Sequence, residues 1–293
     1  MISSAPAVDA GSDLRTDAHT GIRTYVVGSR QDRPNLPTTT TCPFCPGGAE
    51  APEDYDVRWF RNRWPAMPDD RCEVILYTPR HDATFWSLRV EGARKVVDLW
   101  AARSEVLGAR SDVAYVLPFE NRGAEVGATI PHPHGQIYAF DSVPELPLRE
   151  LERGCVFDEP DGRLVATSPG WRAWVPEASI FPYALRIVPD AEVPDLPSLD
   201  SNARDGLAAI LVDVLERVDR LFDAAVPYML WIHQRPFDGG DWPGARVHVE
   251  IVSPWRSVGV PRYVAAGELG SGVYFNPVAP EHAAENLREA AAP

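Results

Sequence analysis

Residues 128–140 read ATIPHPHGQIYAF, in which His132 and His134 stand on either side of a proline. The apolar run after Gln136 favours a β-strand through this stretch. Because residues i and i+2 of a strand face the same side, both imidazoles are expected to project into one pocket. The proline stiffens the link between them, and Gly135 is expected to let a phosphate approach the main chain closely.

The segments around this stretch predict an α+β fold. Apolar runs bounded by turn residues predict strands at residues 24–29, 57–63, 73–79, 113–121, 172–178, 183–189, 228–234 and 246–254. Helices are predicted at residues 90–108, 146–153, 201–223 and 280–290, the third capped by Asp200 or Ser201. The strand clusters are not separated by regular crossover helices, which favours a mainly antiparallel sheet.

The chain is predicted to consist of a tail and two similar halves. Each half contains strands, a helix, and then strands that end in histidines, although no close sequence repeat accompanies the pattern. The predicted units are a flexible tail at 1–20, a first half at 21–155 and a second half at 156–293. The tail lacks the basic start and apolar stretch of a signal peptide.

Composition argues against two kinds of partner. The 293 residues, 45% of them hydrophobic, can bury a sizeable core. A net charge of -14 without clustered basic residues argues against a nucleic-acid surface, and an anionic substrate would need local arginines. No apolar run approaches the roughly 20 residues that span a bilayer, so we expect a soluble, cytoplasmic protein with no membrane partner.

Cysteine and histidine spacing predicts a zinc site. Cys42 and Cys45 form a C-x-x-C loop, which in a chain without a secretion signal favours metal or redox use over a structural disulfide. A closed zinc site takes four sulfur and imidazole ligands. One of the paired histidines could supply the third and His81 the fourth. The alternative is a tight turn that carries two thiols.

The other histidine of the pair is then available for nucleophilic chemistry. A neutral imidazole can attack phosphorus when its second nitrogen donates a hydrogen bond to a fixed acceptor. Gln136 returns to the same face of the strand, where its amide could hold a phosphate oxygen. The upstream glycine-rich turn and Thr129 could bind the same anion. The alternative is that both histidines bind metal and neither reacts.

Residues 119–139, FENRGAEVGATIPHPHGQIYA, resemble the active-site segment of the galactose-1-phosphate uridylyltransferase family, a branch of the histidine-triad superfamily. Other motifs resemble the family in order along the chain: GSRQDRP, CPFC, FRNRWPAM, TPRH, YMLWIHQRPF, RVHVEIVSPWRS and GELGSG. The resemblance covers roughly residues 20–290. It implies two histidine-triad-like halves that form a half-barrel of antiparallel strands flanked by helices.

The resemblance also implies roles for individual residues. The implied zinc ligands are Cys42, Cys45, His81 and His132. His134 would be the nucleophile that becomes uridylylated, and Gln136 would hold the α-phosphate. The implied nucleotide-phosphate residues are Arg30, Arg33, Asn62, Asn121 and Thr129. Arg262, where the family usually has lysine, and Glu268 would lie toward the hexose phosphate.

A second metal site and a homodimer are further implications of the resemblance. The corresponding second-site residues are Glu150, His233, His248 and Glu250, and zinc or iron would suit such mixed nitrogen and oxygen ligands. Glu250 stands where the family usually has histidine, so the alternative is a polar patch between strands. In this family two subunits commonly complete each active site.

The implied reaction moves UMP from UDP-glucose to galactose 1-phosphate through a covalent uridylyl-histidine intermediate. The alternatives within the superfamily are a nucleotide-sugar phosphorylase, a hydrolase, and a uridylyl- or adenylyltransferase that uses another sugar 1-phosphate. An alternative outside enzymes is a nucleotide-sugar binding protein, which the intact His134 and Gln136 argue against.

Overall fold

The computed structural model describes residues 12–30, 42–158 and 160–292. The strands are β1 Ser12–Thr16, β2 Arg23–Val27, β3 Arg58–Arg61, β4 Cys72–Leu76, β5 Tyr115–Arg122, β6 His134–Phe140, β7 Leu164–Ser168, β8 Trp171–Trp174, β9 Tyr183–Pro189, β10 Tyr228–His233, β11 His248–Ser253, β12 Trp255–Ser257 and β13 Val260–Pro261. The helices are α1 Arg89–Gly108, α2 Glu145–Glu152, α3 Ser201–Phe222, α4 Ala266–Ser271 and α5 Pro280–Glu289.

Nine of these strands form one sheet in the order β3-β4-β6-β5-β10-β11-β9-β8-β7. Every recorded pairing in it is antiparallel, so the predicted α+β class with a large antiparallel sheet is confirmed. In this sheet order, the first four strands end before residue 141 of the chain and the other five begin after residue 163. The predicted division at residues 155–156 therefore falls between two contiguous blocks of the sheet.

Helices α1 and α3 pack on one face of the sheet and bury apolar residues at the predicted three-to-four spacing. Buried examples are Val96, Val97 and Trp100 on α1, and Ile210, Leu211, Val214 and Leu215 on α3. The Asp200 side chain caps α3 by accepting a hydrogen bond from the Ala203 amide at 2.8 Å. One hydrophobic core joins both blocks, because Ile137 and Ile251 belong to the same buried cluster.

Strand β6 begins at His134 and alternates between two environments. Gly135, Ile137 and Ala139 are buried toward the helices, whereas His134 and Gln136 face the other side and are partly exposed. His132 lies before the strand, so the prediction that one strand carries both imidazoles is wrong. Prolines at 131 and 133 lack the amide hydrogens that a strand ladder requires, which explains why the pairing starts later.

Several elements lie outside the sequence predictions. Residues 12–16, assigned to the flexible tail, form β1 and pair with β2 in a hairpin. Asp17 stabilises its turn by accepting hydrogen bonds from the amide and hydroxyl of Thr20, both at 2.7 Å. Strands β7, β12 and β13 and helix α4 were also not predicted, because segments of two to six residues carry little periodicity.

None of the helices in the described ranges combines the length and apolar character needed to cross a membrane.

Candidate active site

Four predicted metal ligands converge at one end of β4 and β6. The ligand atoms of Cys42, Cys45, His81 and His132 all lie within 4.8 Å of one another. The Cys45 Sγ is 3.5 Å from Nδ1 of His81 and 3.6 Å from Nδ1 of His132. These side chains come from three separate loops, and together they could hold a metal ion.

Hydrogen bonding fixes which nitrogen of His132 faces this cluster. Its Nε2 lies 2.8 Å from the carbonyl oxygen of Thr78, which can only accept, so Nε2 carries the hydrogen. Nδ1 is then the unprotonated nitrogen and points toward Cys45. Burial lowers the pKa of His132, which favours the neutral, ligating form. Burial and the adjacent Cys42 raise the pKa of the Cys45 thiol, an effect that a bound cation would reverse.

The same logic assigns the tautomer of His134. Its Nδ1 lies 2.7 Å from the carbonyl oxygen of His132, so Nδ1 donates and Nε2 carries the lone pair. The Phe44 ring packs against both imidazoles, with centroid distances of 5.0 Å to His134 and 6.1 Å to His132. The C-x-x-C loop thus contacts the nucleophile candidate through a residue that the sequence analysis did not single out.

A chain of amide hydrogen bonds orients Gln136 beside His134. The backbone amide of Trp64 donates to Oδ1 of Asn62 at 2.9 Å, which fixes the Asn62 amide. Asn62 Nδ2 then donates to Oε1 of Gln136 at 3.1 Å. Because Oε1 is engaged as an acceptor, Gln136 presents its NH₂ group as a donor on the face shared with His134. This arrangement suits an anionic oxygen.

The remaining predicted phosphate residues are spread around this face. The pairing of Phe119 with Gln136, continued by two residues, places Asn121 opposite His134. A cavity of about 330 Å³ lies along β5 and β10, and its lining includes Phe119, Asn121, Met229 and Trp231. Thr129 lies in the loop before His132, and Arg33 lies outside the described residues.

Arg30 is placed by its effect on a neighbouring thiol. Burial raises the pKa of Cys72, and the positive charge of Arg30 opposes that rise. Cys72 pairs with Tyr138 on β6, two positions beyond Gln136 on the same face. Arg30 itself ends the short helical turn that follows β2.

Arg262 and Glu268 do not join this group within one chain. The two side chains are buried and form an ion pair, and Glu268 also accepts hydrogen bonds from the amides of Ala265 and Phe275. The backbone amide of Arg262 donates a hydrogen bond to the carbonyl oxygen of Pro254, the residue immediately after β11. Strand β11 lies three strand spacings from β6, which corresponds to about 14 Å.

The predicted second metal group assembles only in part. Glu150 Oε2 lies 2.7 Å from Nδ1 of His233 and 3.5 Å from Nε2 of His248. Burial alone would raise the pKa of Glu150, but the hydrogen bonds and charges of the two histidines bring it to about 2. The inclusion of Glu250 is corrected, because it pairs with Arg186 on β9 at 2.5 Å and is absent from the cluster.

Sheet topology relates the second metal group to the segment that carries His134. The strand order is symmetric about the β5–β10 pair, so β11 in the second block corresponds to β6 in the first. His248 and Glu250 therefore occupy the positions that correspond to His134 and Gln136. Successive antiparallel strands reverse direction, which places His233 and His248 at the end of the sheet opposite to His134. The second cluster is thus separate from His134.

The structure assigns Gly135 a different role from the one predicted. A Cβ at residue 135 would point toward the helices, away from the face that carries His134 and Gln136. It would lie 2.2 Å from the Tyr77 hydroxyl. Glu120 is buried beneath the same region and accepts a hydrogen bond from Tyr228 at 2.7 Å. Burial raises the pKa of Glu120 to about 7, against the lowering effects of Tyr228, Arg122 and the Tyr77 hydroxyl.

Glu120→Gln is expected to flatten part of the pH dependence of stability. Between pH 4.5, the ordinary pKa, and about 7, the folded chain keeps the Glu120 proton while the unfolded chain loses it. The contribution of Glu120 to the free energy of unfolding therefore falls as pH rises through this window, by on the order of 3 kcal/mol, and stays level above it. Urea denaturation of the wild-type and Glu120→Gln proteins at pH 5 and pH 7.5 tests this. If the free energy of unfolding changes equally between the two pH values in both proteins, the prediction is contradicted.

Sequence comparison places the chain among known proteins. Residues 59–144 match the family described as galactose-1-phosphate uridyl transferase, N-terminal domain, and residues 156–291 match its C-terminal domain. The chain belongs to this family. A galactose-1-phosphate uridylyltransferase from Thermotoga maritima is 34% identical, covering 94% of this chain and 98% of its own. One from Streptomyces lividans is 36% identical, covering 96% and 87%.

Solved structures agree with the galactose-1-phosphate uridylyltransferase fold. A uridylyltransferase structure superimposes with a TM-score of 0.84 at 27% identity and covers 94% of this chain and 98% of its own. An ADP-glucose phosphorylase from Arabidopsis thaliana with bound ADP-glucose has a TM-score of 0.77 at 22% identity, covering 95% and 99%. The second similarity supports the fold alone.

Proposed function

We propose that this protein transfers UMP from UDP-glucose to galactose 1-phosphate, with His134 as the covalent nucleophile. Family membership supports the reaction. The observation that carries the role of His134 is its 2.7 Å hydrogen bond from Nδ1 to the His132 carbonyl, which leaves the lone pair on Nε2. A lone pair aimed by a main-chain acceptor is what an imidazole nucleophile requires.

The proposed reaction has two displacements at the α-phosphorus. Nε2 of His134 forms a bond to phosphorus as the bond to the glucose 1-phosphate oxygen breaks, and glucose 1-phosphate leaves. A phosphate oxygen of galactose 1-phosphate then attacks the uridylyl-histidine, which releases UDP-galactose and restores the imidazole. Both leaving and attacking phosphates are anions, so neither step needs a separate proton donor.

Gln136 and Arg30 would stabilise the transferring group. The NH₂ group of Gln136, oriented by Asn62, would donate to a non-bridging oxygen of the α-phosphate. The cavity beside Phe119 and Asn121 offers an apolar and amide-lined space for the nucleoside. These contacts would hold phosphorus in line with Nε2.

The first metal group fits zinc. Tetrahedral zinc with ordinary bond lengths to sulfur and nitrogen separates those ligand atoms by about 3.5 Å, close to the 3.5 and 3.6 Å measured around Cys45. Two thiolates and two imidazoles complete a four-ligand site, so zinc there would be structural and would anchor His132, whose carbonyl holds His134. It would not contact substrate.

The second group and the oligomer are further parts of the proposal. Glu150, His233 and His248 supply mixed nitrogen and oxygen donors that suit zinc or iron. Arg262 and Glu268 lie away from His134 in their own chain, so their role near the hexose phosphate would require the homodimer that the family resemblance implies.

A pre-steady-state experiment tests the proposed function. UDP-glucose labelled in the α-phosphate is mixed with enzyme in the absence of acceptor. We expect a stoichiometric burst of glucose 1-phosphate and a base-stable, acid-labile label on His134, found by mass spectrometry. Galactose 1-phosphate should discharge the label as UDP-galactose. Discharge by inorganic phosphate instead would indicate a phosphorylase, release to water a hydrolase, and absence of a burst a binding protein.

A further inference from the structure

At Gly135 the main chain of β6 is closely packed on the face opposite to the side chains of His134 and Gln136. An added Cβ would lie 2.2 Å from the Tyr77 hydroxyl oxygen, 3.0 Å from Tyr77 Cζ and 3.0 Å from the carbonyl oxygen of Phe119. We propose that Tyr77 is a positioning residue for His134, because its hydroxyl supports the one peptide segment that joins the nucleophile to Gln136. This inference rests on the proposed function.

Tyr77 is held rigidly enough to act as a support. It is 2% exposed, and its ring meets the rings of Phe85 and Trp100 edge-on, at centroid distances of 5.5 and 5.8 Å. Its amide also donates to the carbonyl of Pro133 at 3.4 Å. Tyr77 therefore contacts the nucleophile segment twice, once just before His134 and once just after it.

A buried polar group lies behind the Tyr77 hydroxyl. Glu120 and Tyr228 hydrogen-bond at 2.7 Å, and Arg122 is paired with Asp219 on α3 at 2.7 Å. The Tyr77 hydroxyl makes no hydrogen bond to any described residue, so the packing of its ring against Phe85 and Trp100 fixes its position. These contacts join β5, which pairs with β6, to strand β10 and to helix α3.

A small shift at Gly135 would act on both reacting-side residues together. His134 and Gln136 flank the glycine and project to the opposite face, so displacement of its Cα moves both side chains. A misplacement of about 1 Å can cost about 10²-fold in rate. Residue 135 thus lacks a side chain because a Cβ would displace the segment that aligns His134 and Gln136. Access of a phosphate to the main chain is not the reason.

The test is a rescue experiment on adduct formation. Gly135→Ala should lower the single-turnover rate of His134 uridylylation by about 10²-fold at saturating UDP-glucose. Tyr77→Phe alone should lower it by roughly 2- to 10-fold, because the hydroxyl that packs against the Gly135 segment is lost. The double variant should exceed Gly135→Ala by at least about tenfold, because removing the hydroxyl leaves the next contact at 3.0 Å.

Gly206→Ala is the matched control. A Cβ at Gly206 on α3 would also approach to 2.2 Å, against the carbonyl oxygen of Pro169. This variant should lose thermal stability, keep the uridylylation rate of its folded fraction, and gain nothing from Tyr77→Phe. A generic packing defect would make the two alanine variants behave alike.

Several outcomes would overturn the inference. They are a Gly135→Ala rate within threefold of wild type, a double variant no faster than Gly135→Ala, or rescue of Gly206→Ala by Tyr77→Phe. If Gly135→Ala is insoluble, the double variant should be soluble and active, and an equally insoluble double variant contradicts the proposal. A wild-type enzyme without a burst refutes the proposed function itself, whereas a wild-type burst with a fast Gly135→Ala refutes only the positioning role.

Discussion

His134→Gly should reduce UMP transfer by about 10⁴-fold or more, the loss typical of removing a covalent nucleophile. The variant should still bind UDP-glucose, because Gln136, Asn62 and Asn121 keep their places in the site. It should give neither a glucose 1-phosphate burst nor a labelled protein. Steady-state kinetics, calorimetric binding of UDP-glucose and mass spectrometry of the protein measure these three properties.

His282→Ala provides the comparison for the His134 variant. His282 lies exposed on α5, where its recorded ion-pair partner is Glu285 at 3.6 Å, and it is far in sequence from both metal groups. It should leave the burst and the transfer rate unchanged. Full transfer by His134→Gly, with an adduct elsewhere or none, would end the assignment of the nucleophile.

His81→Ala should remove most of the metal from the first group although this histidine is exposed. The cluster would keep three of its four donors, and structural metal binding is coupled directly to folding. We expect the melting temperature to fall by roughly 5 °C, equivalent to about 3 kcal/mol in a chain of this size. Transfer activity should fall as well, since a metal in this group would anchor His132, and Phe44 contacts both imidazoles.

The His282→Ala protein serves here too, as another exposed histidine replaced by alanine. Metal content by plasma mass spectrometry and melting curves with and without a chelator separate the two variants. Stoichiometric metal and an unchanged melting temperature in His81→Ala would show that His81 is not a ligand. A chelator that lowers the melting temperature of both proteins equally would also contradict the prediction.

Much of the fold follows from local patterns. The eight predicted strands and four predicted helices appear with boundaries shifted by a few residues, because apolar periodicity reports which side of a segment is buried. Motif spacing pointed to Cys42, Cys45, His81 and one of the paired histidines, the family resemblance implied His132, and the structure brings these four residues together. Phe44 and Tyr77 were missed, since a buried aromatic residue gives no sign in sequence of what its ring or hydroxyl contacts.

The sequence by itself determined most of the secondary structure, the antiparallel class and the residues that are candidates to bind metal or to attack phosphorus. Tertiary structure alone decided how they are used: His132 lies before β6, Glu250 pairs with Arg186, and Gly135 faces Tyr77. The physical reason is that a periodic pattern records burial along one segment. Strand register and order determine which side chain of another segment lies opposite, and those depend on the whole sheet.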